Sequence, residues 1–533
     1  MEDRREMVLP RKFLRMCRAN RRRTKIADSS QAELTGGGLL MRTLVLRRLL
    51  RREVLAADER HVGLLLPPTV AAVVANAAVS LDRRIAVNLN YTVSSDVMNA
   101  CIGQCGIRHV LTSRRVMEKL DLEIDAELVY LEDFKGKVKV KDGLVALAQS
   151  RLMPVWLLER RLGLTKIDPD DVLTVIFTSG STGMPKGVML THRNVGTNIE
   201  AFNSIIRLGR RDVLLGILPL FHSFGYTVTL WTALTLEPMV VYHYSPLEAR
   251  AIGKLCRDHG ATMLIATPTF LRSYLRRCQP EDFATMEVVL TGAERLPVEL
   301  ADAFENKFGV RPMEGYGTTE LSPVVSVNVP PGRAPSTGEI GCREGTIGRP
   351  LPGISAKVVD LDTGEDVGAG ESGMLLVSGP NVMKGYLDRP ELTAEVIRDG
   401  WYVTGDVAEI DADGFIRITG RLSRFSKIGG EMVPHIRVEE EIARLLELDE
   451  EAGTSVVVTA VPDPKKGERL IVLHTGLSQS PEEICRGLSQ RGLPPIWIPS
   501  PESFRRIDAI PILGTGKADL KQVKEAALRE FPA

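Results

Sequence analysis

Aromatic side chains are scarce in this chain, at 5% of 533 residues, so the interior has to be built mainly from aliphatic ones. An excess of either charge is missing too. Lys plus Arg and Asp plus Glu number 68 each, which leaves no overall field to recruit nucleic acid. There is no internal repeat and no low-complexity stretch, which excludes solenoids and disordered tracts. Cysteines are few, odd in number and scattered, at seven; that argues against a disulfide framework and for reduced thiols in a cytoplasm. Cys101-x-x-x-Cys105 with His109 finds no evident fourth ligand, so a zinc site is not expected. No apolar core follows the basic start, so no secretion signal is expected either. One uncharged run of twenty residues, Val62 to Leu81, is interrupted by Pro67-Pro68 and Asn76, and reads as strand, turn and buried Ala-rich helix rather than a membrane span.

What is present is the composition of a folded protein, 44% apolar and 26% charged, with length enough for several domains. Apolar strands alternate with helical patterns, as in Val213–Leu218, Phe270–Arg277 and Val288–Thr291. That is the mark of α/β layering with largely parallel sheets. From about Thr346, glycines and prolines become frequent and short β-rich stretches suggest a smaller antiparallel barrel or sheet. After Gly420-Arg421-Leu422-Ser423-Arg424 a final mixed unit follows, with strands at 456–460 and 469–475 and helices at 481–490 and 520–529. The start is basic: ten Lys and Arg residues lie between Arg4 and Lys25, with Glu6 as the one acid. A solvated first helix is expected there, with a membrane surface or acidic partner as the alternative.

The most specific string follows the apolar run Val172–Phe177. Thr178-Ser179-Gly180-Ser181-Thr182-Gly183-Met184-Pro185-Lys186-Gly187 combines glycines, hydroxyls and one lysine. Glycines let successive backbone N–H groups wrap an anion, and the hydroxyls and Lys186 add donors and charge, which suits phosphates. A Walker loop needs G-x-x-x-x-G-K-[ST], and this spacing excludes it. A second string is Met313-Glu314-Gly315-Tyr316-Gly317-Thr318-Thr319-Glu320. There Tyr316 can stack on a base, Thr319 can donate to a phosphate oxygen, and Glu320 is a hard oxygen ligand of the kind Mg²⁺ takes beside phosphates.

Together the two strings resemble the signatures of the adenylate-forming enzymes, and the resemblance covers about residues 30–533. It implies an α/β fold: a large N-terminal domain of two layered α/β subdomains with a small β-barrel-like subdomain, then a small mobile α+β C-terminal domain. The expected boundaries are a basic N-terminal segment at 1–30, an ATP- and acyl-binding domain at 31–419 and a domain carrying the catalytic lysine at 420–533. The resemblance further implies that Thr178, Ser179, Gly180, Ser181, Thr182 and Gly183 bind the phosphates of ATP. Gly292, Ala293 and Glu294 would line the adenine beside Tyr316, Gly317 and Thr318, and Asp406 with Arg421 would take the ribose. Lys517, Lys186, Thr319 and Glu320, the last with Mg²⁺, would be catalytic. Lys427 would replace Lys517 after the small domain rotates, and His222 would gate the acyl pocket.

Finer strings, such as Asn88-Leu89-Asn90-Tyr91-Thr92 and Leu513-Gly514-Thr515-Gly516-Lys517, resemble the synthetase half of bacterial acyltransferase/acyl-ACP synthetases. None of the eight histidines begins the H-x-x-x-x-D pattern of their acyltransferase half. Ser423 and Met432 depart from residues that relatives carry at the hinge and phosphate positions. The implied activity is conversion of a fatty acid to acyl-AMP by ATP, then transfer to the thiol of acyl carrier protein, with CoA as the alternative acceptor. A non-catalytic nucleotide- or acyl-binding protein is the alternative outside enzymes. A cytoplasmic location is expected, with peripheral membrane contact through the basic N-terminus.

Overall fold

The computed structural model describes residues 7–178, 185–333, 341–429, 431–446, 455–511 and 518–531; the side chains of Ser423 and Met432 are not among them. Two large sheets carry the fold. The nine-stranded sheet runs in spatial order from Arg349–Pro350 through Val324–Val327, Pro312–Gly317, Val288–Thr291, Met263–Ala266, Val213–Gly216, Met239–Tyr242 and Thr24–Asp28 to Glu33–Thr35. Its six central strands are parallel and its flanks antiparallel. The seven-stranded sheet runs from Gly385–Tyr386 through Lys186–Thr191, Val172–Thr178, Ile85–Asn88, His61–Leu64 and His109–Thr112 to Glu127–Tyr130. Strands buried on both faces need continuous apolar runs, which is what Val172–Phe177 and Met263–Ala266 supply.

The uncharged run at 62–81 resolves as expected into strand His61–Leu64 and helix Val70–Leu81, whose residues are almost all buried. Thr69 caps that helix through its hydroxyl, which accepts from the Ala72 N–H. The interrupting Asn76 is satisfied by Asn88 on the neighbouring strand, the two amides exchanging bonds of 3.1 and 2.9 Å. Among the described residues no helix is long and apolar enough to cross a membrane.

The basic start is not a segment apart. Helix Leu9–Ala19 buries Leu9, Phe13, Leu14 and Cys17, and strand Thr24–Asp28 lies inside the nine-stranded sheet, parallel to Met239–Tyr242. Several of its cations bind the protein while Arg21 and Arg22 stay exposed: Arg11 and Arg15 pair with Glu159, Lys12 with Glu200, and the buried Lys25 ammonium donates to the Leu236 carbonyl at 2.8 Å. A solvated helix was the expectation. The apolar residues at three- and four-residue spacing, all between the arginines, are what draw it into the core.

A five-stranded antiparallel sheet follows, built from Ser355–Val359, Ser372–Ser378, Ile397–Arg398, Trp401–Ile410 and Ile416–Arg421. The last strand runs through Arg421, so the boundary placed after residue 419 falls inside it. The C-terminal unit has its own core around Ile428, Val438, Val458, Val472 and Leu488. It touches the larger body through Arg295, whose Nη1 donates to Glu440 at 2.8 Å.

Candidate active site

Strand register brings part of the predicted set together. In the hairpin Val172–Thr178/Lys186–Thr191, Thr178 sits directly opposite Lys186, so the two flank the mouth of the turn. Ser179, Gly180, Ser181, Thr182 and Gly183 lie outside the described residues. The two-residue strand Gly385–Tyr386 adds to the hairpin's outer edge, with Tyr386 opposite Val188. That places the Tyr386 ring 5.0 Å from the Lys186 ammonium, a cation–π contact. The same tyrosine donates its hydroxyl to Glu320 Oε1 at 2.9 Å.

Glu320 and Thr319 begin a short turn after strand Pro312–Gly317. Gly317 is required there: a Cβ would come within 1.9 Å of the Pro323 carbonyl oxygen. The Thr319 hydroxyl lies 3.2 Å from that of Ser223, next to His222. His222 itself is exposed and rests against Phe221, their rings 4.5 Å apart. The Thr318 hydroxyl is buried without a hydrogen-bond partner among the described residues. An unsatisfied buried donor beside the Thr319–Glu320 pair is what a missing polar ligand would leave behind.

The second cluster gathers around Asp406. Strand pairing sets Asp406 opposite Arg421, and the guanidinium Nε stands 3.2 Å from Oδ1. Tyr316 donates its hydroxyl to the other carboxylate oxygen, and the Asp406 N–H donates to the Thr404 hydroxyl at 3.0 Å. Burial raises the Asp406 carboxyl above its ordinary value, against the pull of Arg421 and Tyr316. Burial and the neighbouring carboxylate also drive the Tyr316 phenol well up. Tyr402 lies between the clusters, its phenol raised by burial and by the charge of Glu320. Asp406 and Glu320 are thus each held by a tyrosine hydroxyl.

Gly292 and Ala293 close strand Val288–Thr291 and face the turn after His222; a Cβ on Gly292 would stand 3.2 Å from the Phe224 ring. Ala293 holds φ at +69°, a conformation costing about 1 kcal/mol and found where the surroundings over-determine the backbone. Glu294 points elsewhere, accepting from the Thr269 hydroxyl at 2.7 Å. Lys427 is also apart: its ammonium pairs with exposed Asp362 at 3.0 Å. Lys517 lies outside the described residues. Cys101 and Cys105 are buried, His109 pairs with Glu59 at 3.0 Å, and the described residues hold no cluster able to bind a metal by His, Cys, Asp and Glu alone.

Four members of the site were given no role by the sequence: Ser223, Tyr386, Tyr402 and Glu314, the last although it stands inside the second string. Glu314 shares with Tyr316 one face of its strand, and burial pushes its carboxyl up to about 7.

Residues 13–387 match the AMP-binding enzyme family. This chain belongs to that family. Like an AMP-binding enzyme, it is similar over 367 residues to the long-chain-fatty-acid–CoA ligase of Bacillus subtilis (strain 168), at 35% identity. That match spans 67% of this chain and 62% of the ligase, so less than two thirds of that relative's length is reached. It is also 33% identical to a feruloyl-CoA synthase of an Amycolatopsis species, over 65% of this chain and 68% of the relative. Among solved structures, ATP-bound MatB of Rhodopseudomonas palustris superposes with a TM-score of 0.77 at 24% identity, covering 98% of this chain and 100% of MatB. The B. subtilis O-succinylbenzoate CoA synthetase (MenE) in complex with AMP gives 0.77 at 22%, over 97% of this chain and 98% of MenE. At these identities the likeness is one of fold.

Proposed function

We propose that this AMP-binding enzyme is an ATP-dependent acid–thiol ligase acting on a long-chain fatty acid. The observation that carries the reading is the convergence of Lys186, Thr319 and Glu320 with the Tyr316–Asp406–Arg421 cluster, one group suited to phosphates and the other to a nucleoside. In the first step a carboxylate oxygen attacks the α-phosphorus, the α–β phosphoanhydride bond breaks, and pyrophosphate leaves. In the second a thiolate attacks the acyl carbonyl and AMP departs. The difficulty is bringing one anion onto another. Donors of 178–183, Lys186 and Lys517 would offset that repulsion as charge develops.

Asp406, already clasped by Arg421, would accept the ribose hydroxyls, and Tyr316 would face the adenine with Gly292 and Ala293. Thr319 would donate to the α-phosphate. Glu320 fits a Mg²⁺ ion: a carboxylate beside a threonine hydroxyl is the hard oxygen set this cation prefers. When bound there, the ion would neutralise phosphate charge. His222 would stand at the entrance to the acyl pocket. Lys427 at Asp362 would be the resting position of the lysine that replaces Lys517 in the thiol step.

The thiol would be that of phosphopantetheine. The names of the relatives favour CoA as its carrier, while the motif resemblance favours acyl carrier protein. The test is ATP–pyrophosphate exchange across acids of rising chain length, followed by CoA and carrier protein offered together. Exchange that needs a long-chain acid supports the reading, and exchange with none overturns it. Lys517→Ala should abolish exchange but spare thioester formation from preformed acyl-AMP; normal exchange in that variant would remove Lys517 from the chemistry.

A further inference from the structure

Among the described residues eleven large hydrophobic side chains are exposed, and six of them fall between Val138 and Leu157. Val140 and Leu144 lie on helix Val140–Arg151, Trp156 and Leu157 on the next helix, Val155–Arg161, with Val138 just before the first and Leu152 between the two. The first is amphipathic in the wrong sense for a globular surface. Its outward stripe, at four-residue spacing, is Val140, Leu144 and Ala148, continued by Leu152, with Val140 and Leu152 each 82% exposed. Its inward face carries Asp142, Gln149 and Ser150. On the second helix Trp156 is 64% and Leu157 37% exposed, while Leu158 and Glu159 are buried.

The inward polar residues are spent on attachment. Arg52 donates to Asp142 at 2.8 Å and Arg48 at 3.2 Å, both from helix Gly36–Glu53. Arg18 donates to the Gln149 carbonyl at 2.8 Å, and Arg11 pairs with Glu159 at 2.9 Å. The basic N-terminal helix, for which a membrane surface was only the alternative to a solvated face, anchors this pair and leaves its apolar side outward. Within the span from Lys135 to Lys166 the exposed charge has one sign. From Lys135 to Lys166 there are eight basic residues, beginning with alternate lysines at 135, 137, 139 and 141, and all are exposed. The only two acids in the span, Asp142 and Glu159, are buried.

We infer that the helix pair 140–161 docks the enzyme on an anionic lipid bilayer. Aliphatic side chains and an interfacial tryptophan would enter the headgroup–acyl boundary while the surrounding lysines and arginines lie against the lipid phosphates. The inference does not depend on which acid or thiol is used, and it assigns the cations a job that pairing within the protein does not give them.

Flotation of the full-length protein with vesicles tests it. Vesicles of phosphatidylcholine with phosphatidylglycerol should retain the protein, while phosphatidylcholine alone should retain about tenfold less. Replacing Leu152 and Trp156 by Gln should cut retention by about tenfold without changing the circular dichroism spectrum or the thermal midpoint, since both side chains are exposed. The tryptophan emission should shift to the blue on adding anionic vesicles, and Trp156→Phe should remove the shift. Equal binding to neutral vesicles, or unchanged retention in the Leu152/Trp156 variant, would overturn the inference. So would an absence of vesicle binding together with self-association that the same variant abolishes, since that would assign the face to a protein contact.

Discussion

At the scale of single residues, the site places two carboxylates under phenolic hydroxyls, Asp406 under Tyr316 and Glu320 under Tyr386. A buried carboxylate without such donors would be costly, and one already oriented by them is ready for a ligand. Asp406→Asn keeps the shape but loses the charge that accepts from Arg421 and, on the proposed function, from the ribose. Hydrogen bonds to a charged group are worth about 1.5–3 kcal/mol, so KM for ATP in the exchange assay should rise by roughly 10- to 100-fold. Glu314 supplies a pH dependence. Its carboxyl is raised from 4.5 to about 7 by burial, so the folded protein holds this proton more tightly than the unfolded chain. The stabilisation is complete below the unfolded value and disappears as pH rises through about 7. Glu314→Gln should therefore flatten the fall in stability over that window, as read by denaturant midpoints at a series of pH values.

At the scale of elements, the strand Thr24–Asp28 decides whether the N-terminus is an appendage. It is paired through Ile26–Asp28 with Val240–Tyr242 and flanked by Glu33–Thr35, and helix Leu9–Ala19 packs Phe13 and Leu14 into the main core. Removing residues 1–28 would expose a sheet edge and empty several buried positions, each worth about 2–5 kcal/mol. The truncated protein should be insoluble or lack a cooperative melting transition. A folded, active truncation would show that the strand is dispensable.

At the scale of the whole molecule, the C-terminal unit meets the large body through few polar contacts, Arg295 with Glu440 and Lys427 with Asp362. Exposed pairs of this kind are worth at most about 1 kcal/mol, little for stability but enough to shift a balance between two domain arrangements about fivefold. Arg295→Glu should leave the thermal midpoint in place while changing the ratio of pyrophosphate exchange to thioester formation by up to about that factor. Adding Glu440→Arg should restore the ratio. An unchanged ratio in the single variant would mean that this contact does not bias the domain rotation that the proposed function requires.

The sequence by itself determined the elements whose signals are local. Buried parallel strands such as Met263–Ala266 and Val288–Thr291, and the capped helix Pro481–Gln490, were legible because an apolar run or a Ser-Pro-Glu-Glu start specifies conformation within a few residues. The strings that hold Tyr316, Glu320 and Asp406 are local in the same way. Only the tertiary structure decided their partners. Tyr386 reaches Glu320 across 66 residues and Tyr316 reaches Asp406 across 90, through strand registers that no local pattern encodes. It also decided that a basic helix is buried and that the helix at 140–151 turns its apolar stripe outward. Periodicity says that a helix has two faces; which one meets the protein depends on charges elsewhere, here Arg18, Arg48 and Arg52, that claim the polar side.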